Sequence, residues 1–288
     1  MNKRITALIL IFVLLSVFTL PIHADTGPKP SVKISFTNVT ETEFYLTLLS
    51  ERDRSGPWSS SDNYDSYSEN DGYFPREVYD KFAAYEDSDG FHFLGYGAKY
   101  DGEQFEWNYY PPTVFKPLLY FPATDTFIVG EIYERYAFDS YYTLDVGAAF
   151  GSGAVLTESY DYTAEAVSLT ARIIITFAAE LLLALLAFGY RGKKLYLMLA
   201  AVNLVTQIAL NVAVNVKGFF DGPYAYTATF IALEILILIA EATAYSFLIP
   251  KLSEKPARRS VAIWYALSAN ALSLILGLYL SSIIPKIF

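Results

Sequence analysis

The chain has 288 residues, of which 53% are hydrophobic, and its formal net charge is −9. Soluble domains are about 45–50% apolar, so this composition favours a protein that lies partly in a membrane. Residues 25–165 hold 25 acidic and nine basic side chains, a net charge of −16, which would repel phosphates and excludes nucleic acid as a partner. The absence of cysteine excludes disulfides and thiolate metal sites, and nothing in the composition indicates a cofactor.

The first 24 residues are typical of a signal peptide. Lys3 lies in a charged start, an apolar run covers 5–20, Pro21 ends that run, and Ala24 is a small residue at the expected cleavage position. The alternative is an uncleaved anchor, but the run is shorter than the roughly 20 apolar residues of a spanning helix. We therefore predict that the signal peptide is cleaved and that the following residues are exported.

Residues 25–146 predict an extracytoplasmic, acidic, β-rich domain with a sandwich-like arrangement, because apolar and polar residues alternate over short runs. One helix is predicted at 76–85, and the Gly/Ser-bearing stretch 147–165 predicts a juxtamembrane linker. The strand candidates are 31–39, 44–49, 91–100, 104–110, 115–121, 126–133 and 136–146.

A long polar loop over 56–73 is rich in Ser, Asp, Asn and Tyr. Loops of this length are either functional or mobile. Sugar or Ca²⁺ binding and a solvated, mobile loop therefore both remain open. A protein or cell-wall component is the partner that such an aromatic-rich exported domain would bind.

Four apolar stretches follow, each long enough to cross a bilayer. Basic residues concentrate in the first and third loops between them, which is typical of cytoplasmic loops. The predicted fold class is therefore an α+β membrane protein with a four-helix transmembrane bundle over 166–288. Localisation is predicted to be the cell membrane, with the N-terminal domain and the C-terminus outside the cytoplasm. The spans are about 166–190, 195–216, 226–249 and 260–284.

The predicted spans carry polar residues, which share one helix face on each of the first three spans. Glu180, Asn203 and Glu241 fall at one depth when positions are scaled along each helix. A charged side chain at the bilayer centre costs at least about 2.5–3.5 kcal/mol, so these faces are expected to meet inside the bundle. The predicted intramembrane polar cluster comprises Arg172, Thr176, Glu180, Asn203, Thr206, Gln207, Asn211, Glu234, Glu241 and Asn270.

Three explanations of this cluster remain open. Protonated glutamates could bond to amides and fix helix register, the cluster could hold a proton or a cation, or it could contact a membrane partner or a second copy of the chain. Whether the cluster binds a metal ion is not determined by the sequence. An intramembrane hydrolase is disfavoured because no histidine lies in these spans, and no catalytic residue is predicted.

Several phrases resemble a family of uncharacterised membrane proteins of Gram-positive bacteria. These are 44–50 (FYLTLLS) followed by 55–58 (SGPW), then 132–142 (IYERYAFDSYY), and 203–207 (NLVTQ) with Asn211, Glu234 and Glu241. The resemblance implies an exported domain joined to a polar bundle in a single-membrane bacterium, and it implies no activity.

Two functions are therefore weighed. The first is a binding or sensing module of the bacterial cell envelope, anchored by the polar bundle. The second is a small proton- or cation-coupled transporter that uses Glu180, Glu234 and Glu241 and that oligomerises because four helices are few. An intramembrane enzyme ranks third.

Overall fold

In the computed structural model, a β-rich region is followed by four long apolar helices, as the sequence predicts. The structure describes residues 27–40, 43–60 and 75–283, without side-chain positions at 277, 278 and 280–283. The predicted signal peptide over 1–24 and most of the predicted polar loop lie outside the described residues.

The β-rich region begins with β1 (Ser31–Thr37) and includes two short helices, α1 (Arg76–Ala83) and α2 (Val146–Ser152). The other strands are β2 Tyr45–Ser50, β3 Arg54–Ser55, β4 Trp58–Ser59, β5 Ala98–Lys99, β6 Phe105–Trp107, β7 Val114–Phe121, β8 Thr126–Val129, β9 Tyr133–Glu134, β10 Asp139–Asp145 and β11 Leu156–Glu158.

These strands form two larger sheets and one small hairpin. The first sheet has the order β11-β10-β1-β6, in which β1 and β10 run parallel from Ser31↔Asp139 to Thr37↔Asp145. The second sheet has the order β5-β2-β7-β8, with β9 also paired to β7, and β3 pairs with β4. The two larger sheets pack face to face, because their apolar side chains form one buried cluster around Ile34, Leu46 and Trp107.

The second sheet is covered on both faces. Alternate residues of β2 and β7 point into the core between the sheets, while the others pack against α1 through Val78 and Phe82. This explains why every residue of β2 is buried instead of every second one. The sequence prediction of strand 91–100 is wrong for most of its length, since only β5 and one bridge at His92 form there.

The stretch 147–165, predicted as a linker, contains regular structure. It holds most of α2 and all of β11, and β11 pairs with β10 from Tyr142↔Glu158 to Leu144↔Leu156. Gly and Ser suggested a linker, but Ala154 and Leu156 are buried in the core of the sheets. The β-rich region therefore continues almost to the first long helix.

The four long helices are α3 (Tyr162–Leu186), α4 (Lys193–Asp221), α5 (Pro223–Leu252) and α6 (Arg259–Ile283). Each is long and apolar enough to cross a membrane, which indicates a multi-pass membrane protein. Large apolar side chains such as Leu186 and Leu197 are more than 70% exposed on the bundle surface, as contact with lipid requires.

The β-rich region contacts the bundle at the turn between α4 and α5. The Phe138 N–H donates to the Phe219 carbonyl oxygen at 2.8 Å, and the Phe219 ring lies 5.1 Å from the Tyr160 ring. At the opposite end of the bundle, the Glu254 N–H donates to the Arg191 carbonyl oxygen at 3.2 Å. The bundle thus has one end against the β-rich region and a far end where the two basic loops meet.

Candidate functional site

Polar residues of the long helices meet inside the bundle because they recur at intervals of three or four on one face of each helix. On α4 this stripe runs from Asn203 through Gln207 and Asn211 to Asn215. These residues contribute to two neighbouring features: a cavity near the β-rich region and a carboxylate cluster farther along the bundle.

The cavity has a volume of about 630 Å³ and is bounded by both parts of the protein. On α3 its lining extends from Glu165 to Thr176, which corresponds to about 16 Å along the helix axis. Polar and aromatic groups that line it are Asp139, Tyr141, Tyr160, Glu165, Ser168, Arg172, Thr176, Gln207, Asn211, Asn215, Phe219, Tyr226, Thr227, Phe230, Glu234 and Ser273.

Hydrogen bonds hold several lining groups in position. Arg172 Nη1 donates to Tyr226 Oη at 3.0 Å, which links α3 to α5. Asn211 Nδ2 donates to the backbone carbonyl oxygen of Gln207 at 2.8 Å and to its side-chain Oε1 at 3.4 Å, so the Asn211 amide bonds along α4 and, among the described residues, to no glutamate. Glu234 on α5 lines the cavity and is only half-buried.

Glu180 on α3 is 3% exposed and receives hydrogen bonds from two other helices. Asn203 Nδ2 of α4 donates to its Oε2. Ser273 Oγ of α6 donates to its Oε1 at 3.0 Å. Both carboxyl oxygens therefore accept a bond from a neutral group.

Glu241 on α5 is 1% exposed and is held in the same way. Thr206 Oγ1 of α4 donates to its Oε1 at 2.7 Å, and Asn270 Nδ2 of α6 donates to its Oε2 at 2.8 Å. On α4, Thr206 lies three residues after Asn203, the donor to Glu180. On α6, Asn270 lies three residues before Ser273, the other donor to Glu180. This crossed arrangement places the two carboxyls in one layer, which we call the carboxylate pair.

Aromatic residues fill the bundle between the carboxylate pair and the far end. Tyr190, Tyr245 and Tyr265 pack with ring centroids 5.5–5.6 Å apart, and all three are at most 4% exposed. Leu195 and Leu199 complete this buried cluster. The carboxylate pair thus lies between a polar cavity and a packed aromatic layer.

The structure brings the predicted cluster residues together at two levels. Arg172, Thr176, Gln207, Asn211 and Glu234 line the cavity. The others belong to the carboxylate pair and its donors: Glu180, Asn203, Thr206, Glu241 and Asn270.

Among the residues that sequence reasoning missed, Asn215 and Ser273 lie on the long helices and extend the predicted cluster. Asn215 continues the spacing of four on α4, which is a signal that could have found it. Ser273 lies three residues after Asn270 on the same helix face. A lone serine in an apolar helix carries no distinctive sequence signal for a bond to a carboxyl.

Within 27–40, 43–60 and 75–283, no three His, Cys, Asp or Glu side chains come together as a group that could hold a metal ion. The chain matches no protein-family model, and no curated protein or solved structure is detectably similar to it. The site is therefore interpreted from its own chemistry.

Proposed function

We propose that this is a membrane-anchored binding protein of the cell envelope, which holds a small amphiphilic ligand in the cavity between its β-rich region and its bundle. The observation that supports this most is the cavity itself, because both parts of the protein contribute to its lining. Ligand sites favour concave, largely apolar surfaces with a few convergent polar groups at the boundary between two structural units.

The lining suggests the chemistry of the ligand. Apolar side chains such as Leu169, Ile175 and Leu210 alternate with amides and hydroxyls, which suits a molecule with both apolar and polar parts. Three acids, Asp139, Glu165 and Glu234, outnumber the single base, Arg172. A ligand with an amine or another hydrogen-bond-donating head group fits this balance.

The orientation forms part of the proposal. The far end of the bundle carries Lys193 and Lys194 in the first turn of α4 and Lys255 and Arg258 in the loop between α5 and α6, and short basic segments of this kind remain in the cytoplasm. The β-rich region then faces outward, as the predicted signal peptide and the resemblance to Gram-positive membrane proteins also imply. The cavity would open on the outer side, where it meets cell-envelope molecules.

A cation-coupled transporter is the second candidate, and Glu234 favours it. A carboxyl that lines a cavity in the membrane is the usual position of an ion-coupling group. Against it, the aromatic layer around Tyr245 and Tyr265 packs the bundle beyond the carboxylate pair. Transport would need this layer to open, whereas binding needs no such movement.

The proposal is tested by blocking the cavity. Full-length protein in lipid nanodiscs is purified with Asn215→Trp, which fills the cavity, and with Val212→Trp, a lipid-facing residue 52% exposed on the same helix. We expect a co-purifying small molecule, detected by mass spectrometry, in the parent and in Val212→Trp and a loss of at least tenfold in Asn215→Trp. Identical molecular profiles in all three proteins would overturn the proposal.

A further inference from the structure

We infer that the carboxylate pair, Glu180 and Glu241, binds a hard metal cation through oxygen ligands. This site is separate from the ligand cavity, and the inference does not depend on the proposed ligand. It rests on the need of two buried carboxyls for a counter-charge, on two neighbouring buried oxygens without a hydrogen-bond partner among the described residues, and on the position of the pair next to the cavity.

The first argument is charge. All four carboxyl oxygens of the pair accept a hydrogen bond from a neutral amide or hydroxyl, which offsets part of the cost of burying a negative charge. The charged side chain nearest along α3 is Arg172, eight residues and about 12 Å from Glu180 along the helix axis. Burial opposes the charge of each carboxyl, so both can be anionic in one layer only with a counter-charge, which a bound cation supplies.

The second argument is a pair of unused oxygens. Asn203 is 1% exposed, and its Oδ1 has no hydrogen-bond partner among the residues that the structure describes, although its Nδ2 bonds to Glu180. Tyr245 is fully buried one turn from Glu241, and its Oη likewise finds no partner within the described chain. Buried polar atoms are almost always satisfied, so each such oxygen calls for a ligand.

The third argument is access. Ser273 lines the cavity and also donates to Glu180, so one side chain contacts both the cavity and the carboxylate pair. Gln207 also lines the cavity, and it directly follows Thr206, which donates to Glu241. A cation in the cavity therefore contacts a side chain that is itself bonded to the pair.

The chemistry selects hard cations. The available ligands are carboxylate, amide and phenol oxygens, which suit Na⁺ and Ca²⁺, whereas softer metals prefer the nitrogen and sulfur of His and Cys. The competing explanation is a proton shared between the two carboxyls. The acidic and phenolic groups that face the pair from neighbouring positions are Glu234, Tyr245 and Tyr265.

The test is cation-dependent stability of the full-length protein in nanodiscs. Thermal unfolding is measured in NaCl, in CaCl₂ and in choline chloride at equal ionic strength, at several pH values. A cation that binds only the folded protein raises its Tm with a saturable dependence on concentration. We expect this rise with Na⁺ or with Ca²⁺, and none with choline.

Variants assign the effect to the site. Glu241→Gln is expected to abolish the cation-dependent rise, while Glu254→Gln, an exposed glutamate of the far-end loop, keeps it. Tyr245→Phe removes only the unused oxygen and is expected to raise the midpoint cation concentration about tenfold, equal to about 1.4 kcal/mol. Tyr224→Phe is the exposed control.

Three outcomes would overturn the inference. The first is a parent protein that responds alike to all three salts. The second is a cation response that Glu241→Gln and Tyr245→Phe both retain. The third is a parent protein that is stabilised by acid and by no metal ion, which would assign the pair to proton sharing.

Discussion

Lys116 shows how the β-rich region accommodates a buried charge. Its side chain is 5% exposed on β7, and its Nζ donates to Asp87 Oδ2 at 3.0 Å and to Asp89. It also lies 5.1 Å from the centre of the Phe91 ring. In contrast, the carboxylate pair of the bundle contacts only neutral donors among the described residues. One chain thus uses ion pairing in one part and neutral donors in the other.

The Lys116 pair predicts a defined pH dependence. Burial alone would raise the pKa of Asp87, but the bond from Lys116 and two backbone N–H groups hold this pKa below its ordinary 3.8. Burial likewise opposes the charge on Lys116, yet its two carboxylate partners keep its pKa above 10.5. The pair therefore stabilises the fold between about pH 4 and 10.5 and loses this contribution outside that window.

Lys116→Met should destabilise the β-rich region by about 3 kcal/mol at pH 7, because it leaves Asp87 buried without its counter-ion. The difference in unfolding free energy between the parent and Lys116→Met should shrink as pH falls below about 4, since Asp87 then becomes neutral in both proteins. Tryptophan fluorescence of the full-length protein measures the unfolding of the β-rich region, because Trp58 and Trp107 both lie there.

The matched control for this substitution is Lys81→Met. Lys81 pairs with Asp125 on the surface, where the two side chains are 47% and 61% exposed, so its loss should leave the melting curve nearly unchanged. A deficit in Lys116→Met that stays constant from pH 7 to pH 3 would contradict the assignment.

The helices were the elements best predicted from sequence, because a polar residue in an apolar run marks a buried face by itself. The stripe on α4 and the matching depths of Glu180, Asn203 and Glu241 follow from spacing alone. Bonding partners follow only in part: Asn203 donates to Glu180 as an amide was expected to, but Asn211 bonds to Gln207, and Ser273 is an additional donor to Glu180. Which of several polar neighbours bonds depends on helix rotation, which hydrophobic periodicity leaves undetermined.

The strands were predicted less completely. The alternation over 31–39 identifies β1, but its parallel pairing with β10 joins residues 108 apart, and no local pattern encodes that register. The stretch before β5 is buried and irregular, so its apolar residues resemble a strand without forming one. Burial without regular pairing gives the same sequence signal as a buried strand.

The turn between α4 and α5 is the element that joins the two parts of the protein. Gly222 adopts a φ of +85° and a ψ of −177°, a conformation that essentially only glycine adopts. A Cβ atom at this position would lie 2.5 Å from Cε2 of Phe138. Both the backbone and the contact therefore require glycine here.

Gly222→Ala should loosen this joint and weaken the bond from the Phe138 N–H to the Phe219 carbonyl oxygen. Strain of this kind costs about 1–3 kcal/mol, so hydrogen exchange at Phe138 should accelerate by about five- to 150-fold. Gly189→Ala is the control, because Gly189 also has a positive φ, +63°, but nothing lies within 4 Å of its added Cβ. Equal exchange at Phe138 in both variants would show that the joint is not coupled to Gly222.

At the scale of the whole molecule, the cavity, the carboxylate pair and the aromatic layer follow one another along the bundle from the β-rich end. Only the cavity is shared by both parts of the protein, so a movement of the β-rich region against the bundle would change the cavity before it changed the carboxylate pair. This order fits a protein that senses a ligand at one end of the bundle.

The orientation can be tested because the chain contains no cysteine, so single-cysteine variants carry no background. A membrane-impermeant maleimide applied to intact cells should label Glu103→Cys on the exposed surface of the β-rich region and Asn215→Cys in the cavity. It should not label Lys255→Cys in the far-end loop until the membrane is permeabilised.

A lipid-facing control distinguishes a thiol in a water-filled cavity from a thiol in lipid. Val212→Cys lies three residues from Asn215 on the outer surface of α4, where a thiol in lipid cannot ionise and therefore reacts slowly. Labelling of Asn215→Cys but not of Val212→Cys indicates water inside the cavity that reaches the outer side. Labelling of Lys255→Cys in intact cells, with Glu103→Cys protected, would reverse the proposed orientation and place the cavity toward the cytoplasm.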